Sequence, residues 1–163
     1  MSNQKKIEKM RMLIDDLKKT LTSSDFREVS QVLARQIRIR TRLGYGVESG
    51  KQSKLKPLDT ERYVPFRQKN KSNLSSETTA KKSNLTATGQ MLDSIKQDSN
   101  GRNIAVSVSG KRTKELTERR SVNTNSDIAR YAKENGRNFF EATNAEKQLV
   151  AREIKKRMLR GLK

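Results

Sequence analysis

The sequence predicts a small α+β domain: a short antiparallel β-sheet packed by helices, with an N-terminal helix pair, a long basic loop and a C-terminal helix. Three observations predict it. Near both ends of the chain apolar residues recur every three or four positions, the period of a helix with one buried face. In the middle, Ile104, Val106 and Val108 alternate with Ala105, Ser107 and Ser109, the period of a half-buried strand. Between residues 44 and 83 neither period persists. At 163 residues the chain reads as one domain, 1–163. It divides into a helical region 1–43, an extended basic loop 44–84 and a packed α+β part 85–163.

The first helix is predicted over residues 4–20, where Ile7, Met10, Ile14, Leu17 and Leu21 share one face. A break follows at "TSSD". Ser23, Ser24 and Asp25 are all N-cap types, and Glu28 stands three after Asp25. The second helix runs to about Arg42 on a stripe of Phe26, Val29, Val32, Leu33 and Ile37. Gly44 is its natural stop, and Arg35, Arg38, Arg40 and Arg42 suit the negative end of its dipole.

Residues 44–83 hold both prolines and an excess of lysine and arginine. A structureless loop of that length is uncommon in a compact domain. Tyr45, Leu55, Leu58, Tyr63, Val64 and Phe66 suggest that its first half packs on something, while 67–83 reads as mobile. Next, Thr86 or Thr88 is expected to cap a short helix that buries Met91, Leu92 and Ile95. Asn100-Gly101 is a two-residue hairpin signal ahead of the strand. The strand's partner lies either before Asn100 or in 112–122, and residues 111–125 read as a loop.

The last third is more regular. Ser126 is placed at the cap of a helix through Ile128, Ala129, Tyr131 and Ala132, closed by Asn135-Gly136. Phe139 and Phe140 lead to a new cap at Thr143 or Asn144. The final helix carries Leu149, Val150, Ile154, Met158, Leu159 and Leu162 on one side. Lys147, Arg152, Lys155, Lys156, Arg157, Arg160 and Lys163 occupy the other. No internal repeat is visible.

Composition limits the chemistry. There is no Cys and no His, which removes disulfides, thiol nucleophiles, Cys/His zinc sites and histidine bases. Asp15-Asp16 reads as solvated helix surface. Gly44-x-Gly46 follows a helix and lacks the rest of a phosphate loop. The sequence therefore assigns no catalytic, metal or cofactor-binding residue and implies no cofactor. No apolar run is long enough for a membrane span or a signal peptide.

Charge is the stronger signal. The net charge is +19, a footprint of polyanion contact. Leu, Ile, Val and Phe together make up about a fifth of the chain, the level at which highly charged chains struggle to fold alone. The candidate contacts to phosphate or acidic partners are Lys51, Lys54, Lys56, Arg67, Lys69, Lys71, Lys81 and Lys82. With few aromatics, a stacking platform for bases is not expected.

Three segments, in order, resemble the neck or tail-completion proteins of tailed bacteriophages, the virion morphogenesis family of phage Mu and lambda-like type. The first is Leu85-Thr-Ala-Thr88-Gly89-Gln-Met91-Leu92-Asp-Ser94-Ile95. The second is the strand within Gly101–Gly110. The third is Ile128-Ala-Arg-Tyr131-Ala132-Lys-Glu-Asn-Gly136 followed by Arg137-Asn-Phe139-Phe140. The resemblance is good over about 85–160 and loose over 30–66. Residues before Leu85 are richer in Ser, Thr and Lys than the family pattern, and Leu55 stands where an aromatic is usual.

The resemblance implies packing roles for Leu85, Gly89, Met91, Leu92, Ile95, Tyr131, Gly136, Phe139 and Phe140. It implies a non-enzymatic virion protein, assembled in the host cytoplasm into a ring of six or twelve copies at the head–tail junction. Its neighbours would be portal-side connector, tail-terminator or tail-tube proteins, with packaged DNA passing through. A tail terminator is the nearest alternative. A non-specific nucleic-acid-binding protein is the alternative of another class.

Overall fold

The computed structural model describes residues 4, 7–8, 11–12, 15–16, 19–98, 103–111 and 124–160. The described positions from 4 to 19 are helical. Met10, Ile14 and Leu17 of the predicted stripe lie outside the described residues. So do the Asn100-Gly101 turn, most of the loop 111–125, and Leu162.

Helix α1 spans Ser23–Arg42. Its N-cap is Thr22, one residue before the predicted set. The Thr22 hydroxyl accepts from the Asp25 N–H at 3.2 Å, and the Thr22 N–H donates to the Asp25 carboxylate at 2.8 Å. This reciprocal pair satisfies two N–H groups that the first turn leaves unbonded. The helix ends at Leu43, and Gly44 follows with φ +90°, as its position predicts. Val29, Ala34 and Ile37 form the buried stripe, while Phe26, Val32 and Leu33 are half-buried.

The region expected as extended loop contains regular structure. Strands β1 (Tyr45–Glu48) and β2 (Lys51–Lys54) form an antiparallel hairpin with Tyr45 opposite Lys54. Its turn is Ser49-Gly50, both at positive φ, which matches a tight hairpin's twist. Helix α2 (Tyr63–Lys69) and a 3₁₀ turn (Lys71–Asn73) follow. The hairpin strands carry little alternation because β1 packs through backbone as much as side chains. A Cβ at Gly46 would lie 2.4 Å from the Asn138 carbonyl oxygen, and the Val47 N–H donates to that same oxygen at 2.7 Å. Only glycine permits this approach.

Helix α3 (Gln90–Asp93) is one turn long. Its N-cap is Gly89 in the left-handed conformation, not Thr86 or Thr88. Ile95 is buried as predicted, but it opens strand β3 (Ile95–Gln97) and does not extend the helix. Strand β4 (Val106–Val108) pairs antiparallel with β3, Ile95 opposite Val108. The strand partner therefore lies before Asn100. The fold is α+β with two small two-stranded sheets among the described residues.

Helix α4 (Asn125–Glu134) is capped by Thr124, whose hydroxyl accepts from the Asp127 N–H, where Ser126 was expected. It closes at Asn135, and the Gly136 N–H donates to the Lys133 carbonyl at 2.9 Å. Helix α5 (Asn144–Arg160) starts at a Thr143–Glu146 reciprocal cap, one of the two predicted positions. All three of these caps read Thr-x-x-Asp/Glu.

One core joins these parts. Ala34 and Ile37 of α1, Leu55, Met91 and Leu92 of α3, Ile95, Ala132 of α4 and Phe139 are buried together. Leu85, Val106, Val108, Ile128, Ala129 and Phe140 pack around them. Burial of each large side chain contributes roughly 1.5–3 kcal/mol.

Candidate functional site

Most of the family-like packing residues meet in that core. Met91, Leu92, Ile95 and Phe139 are buried; Leu85 and Phe140 lie half-buried against them. Tyr131 is a correction: its side chain is 63% exposed, because Ala132, not its neighbour, faces inward on α4. Gly136 is also exposed, and its role is the helix stop at φ +74°.

Seven of the eight candidate cation contacts are exposed: Lys51, Lys54, Lys56, Lys69, Lys71, Lys81 and Lys82. None of the seven forms an ion pair among the described residues. Lys51 and Lys54 lie on β2, the outer strand of its hairpin. The eighth, Arg67, is a correction: only 2% of its surface is exposed.

Arg67 is positioned by α2, one turn after Tyr63, and its guanidinium lies 5.8 Å from that ring's centre. It donates to the Lys82 carbonyl at 3.0 Å and to the Thr78 hydroxyl at 2.9 Å. Thr78 in turn donates to the Asn84 amide oxygen at 2.7 Å. The Asn84 amide nitrogen donates to the Arg42 and Glu77 carbonyls. Burial pulls the Arg67 pKa down from the usual arginine range, and Arg137 nearby adds to that shift. The buried Arg67 guanidinium thus ties α2 to the segment around Thr78 and Lys82.

Two other arginines serve the same purpose elsewhere. Arg40, 5% exposed, donates to the Phe139 and Glu141 carbonyls at 2.8 and 2.9 Å and pairs with buried Glu146 at 3.2 Å. It ties α1 to the turn before α5. Burial lowers its pKa, and Glu146 opposes that shift. Arg42 pairs with Glu77 at 3.0 Å and with Asp93 of α3. Sequence reasoning assigned Arg40 and Arg42 to the helix dipole and missed both clusters. The signal available for Arg67 was the Tyr63-x-x-x-Arg67 spacing, which stacks the two on one helix face.

Two grooves flank the hairpin. A wider one of about 620 Å³ runs along residues 56–61 to Asn135 and Arg137. A narrower one of about 250 Å³ lies between the hairpin and Gly136–Asn138. The wider groove collects Asp59, Thr60 and Glu61, and the narrower one Glu48, Ser53 and Lys54. Asp59 in the wider groove already accepts from the Arg62 and Glu61 N–H groups, both at 2.9 Å, which hold its pKa low. Among the described residues no group of three metal-ligating side chains gathers, and no helix is long and apolar enough to cross a membrane.

No family model matches the chain, nor does any curated protein or solved structure.

Proposed function

We propose that this chain is a structural, non-enzymatic subunit of a tailed-phage head–tail junction, a neck or tail-completion component that forms a homo-oligomeric ring around a DNA passage. The observation that carries the reading is the convergence of the three resembling segments. Met91, Leu92 and Ile95 from the first, Val106 and Val108 from the second, and Ala132 and Phe139 from the third pack in a single core. Three segments that resemble a family in order and also pack on one another support the reading of a single packing motif.

Surface composition supports a subunit that meets neighbours. Ile39 and Leu43, one turn apart on α1, are exposed, as are Tyr131 on α4 and Leu159 on α5. Burial of such residues against other copies would stabilise a small core by association. Light scattering on the purified chain, and its detection in virions, test the reading. The expected result is a ring of defined mass and a virion-associated protein. A strict monomer absent from particles overturns it.

The exposed lysines favour a second reading, a non-specific nucleic-acid-binding protein. Tight, salt-sensitive binding to free DNA or RNA, without a ring and without virion association, selects it.

A further inference from the structure

The geometry points to a fixed lysine platform on one side of the molecule, built to grip the phosphate backbone of a double-stranded nucleic acid. Arg67 is its positioning residue and not one of its phosphate contacts. The inference rests on the proposed function only for the identity of the polyanion.

The platform is built around a closed loop. The Ser75 N–H donates to the Ala87 carbonyl at 2.8 Å, so the segment between them leaves and returns at one point. Its interior is filled by polar groups: Thr78, Asn84 and, from α2, Arg67. Outside this filling stand Lys81 and Lys82, both exposed. The Ser83 hydroxyl donates to the Lys56 carbonyl at 2.7 Å, which brings the Lys56 backbone beside the loop. Lys69 and Lys71 follow Arg67 at the end of α2 and in the next turn.

The charge of the loop itself is unbalanced, while Asp59 and Glu61 line the groove beside Lys56. Glu77 is the loop's one carboxylate, and Arg42 holds it. Lys56, Lys69, Lys71, Lys81 and Lys82 form no ion pair among the described residues; the Lys82 ammonium donates to the Glu77 carbonyl at 3.3 Å. Fixing them from within keeps their mutual repulsion in place until an external anion offsets it.

Chemistry favours phosphate over an acidic protein surface. Stable protein interfaces are depleted in lysine and are anchored by buried aromatic or arginine side chains. Here the exposed residues of the loop are Ser76, Glu77, Thr79, Lys81 and Lys82, with no apolar anchor among them; Phe66 of α2, three residues before Lys69, is the exposed apolar group beside the platform. Lysine with small hydroxyl residues suits a backbone that is held without reading bases.

The test is anisotropy titration of the full chain against a labelled duplex of scrambled sequence across a salt series. Replacing Lys69, Lys71, Lys81 and Lys82 by Gln is expected to reduce the slope of log K against log salt by roughly 0.9 for each phosphate the protein no longer neutralises. Replacing Lys147, Arg152, Lys155 and Lys156 on α5 by Gln removes equal charge and is expected to leave most of that slope. Arg67→Lys keeps the charge but not the fork of hydrogen bonds, and Thr78→Val removes the shared hydroxyl. Both are expected to weaken binding several-fold at unchanged net charge. An equal loss from the α5 variant, or full binding by Arg67→Lys and Thr78→Val, overturns the platform. Competition by polyglutamate as effective as unlabelled duplex overturns the choice of nucleic acid. Ring formation is scored separately by light scattering. Platform-dependent binding by a monomer counts against the junction reading alone, and a ring without such binding counts against the platform alone.

Discussion

Two halves of this molecule are held together by different physics. The half built from α1, α3, α4 and the β3–β4 pair closes on apolar side chains: Ile37, Leu92, Ile95 and Phe139 are all at most 1% exposed. The half from Leu58 to Asn84 buries few large apolar groups, chiefly Leu58 and Val64, and sets Arg67, Thr78 and Asn84 at its centre. Apolar packing is non-directional and tolerates adjustment. A buried polar cluster is all-or-none, because each group left without a partner costs about 1–3 kcal/mol. The first half should therefore set global stability, and the second should open by itself.

The sharpest way to break this contrast is Leu92→Asp. A carboxylate in a dry apolar site has no partner, and its burial costs several kcal/mol, a large share of the about 5–15 kcal/mol that holds a domain together. Loss of the cooperative thermal transition is the expected outcome. A variant that melts like the parent would show that Leu92 is not central. Next in size is Arg40→Ala, which leaves Glu146 buried without its cation. Removal of one partner from a buried pair costs about 3–5 kcal/mol. Urea unfolding should show that loss. The double change Arg40→Met with Glu146→Met removes the lone buried charge but still loses the Glu146 half of the α5 cap and the donors to the Phe139 and Glu141 carbonyls, so its loss should be smaller but not abolished.

The same contrast explains which parts were legible in the sequence. The stripe of α1, Val106 and Val108 of β4 and the buried trio Met91, Leu92 and Ile95 follow from apolar period, which records what faces the core; Ile104 lies outside the strand, and burial along β4 does not alternate. The hairpin Tyr45–Lys54 has no such record. Gly46 packs through its missing side chain, and "KQSK" is the charged outer strand that guards a sheet edge. Arg67 was misread for a related reason. Composition marks a basic residue as exposed, but whether its charge meets solvent or a carbonyl is decided by residues 11 to 15 positions away. Tyr131 shows the converse. It shares a motif with Ala132 and Gly136, yet the helix turns it outward.

Arg67→Met sharpens the contrast at a smaller scale. The Met side chain fills most of the volume but leaves the Lys82 carbonyl and the Thr78 hydroxyl without their donor, at about 1–3 kcal/mol. Hydrogen exchange should speed up at the Ser75, Thr78 and Lys82 amides, which bond within the loop. The amides of α1 and of β3 should keep their protection. Equal acceleration in both halves would mean that the loop is not a separate unit and that the two halves open together.

The smallest effect concerns the contact between α1 and α5, where charge replaces apolar packing again. Arg157, nearly buried, pairs with Glu28 at 3.2 Å, with Glu153 at 2.6 Å and with Asp25 at 3.8 Å. Asp25 has its pKa held low by the Thr22 N–H and then the Thr22 hydroxyl; Glu153 is held low chiefly by its hydrogen bond from Arg157. A carboxylate whose pKa falls on folding adds stability above its unfolded pKa, about 4. That stability is lost as the pH drops through the lower folded value. The urea midpoint should thus stay level from neutral to mildly acidic pH and decline below about pH 4. Asp25→Asn should flatten part of that decline while it lowers the plateau, because Asn cannot restore the charge-assisted cap. Since these groups are largely solvated, the change should be modest and should shrink in salt. An unaltered acid slope in Asp25→Asn would assign the decline to other carboxylates, with Glu153 the first to test.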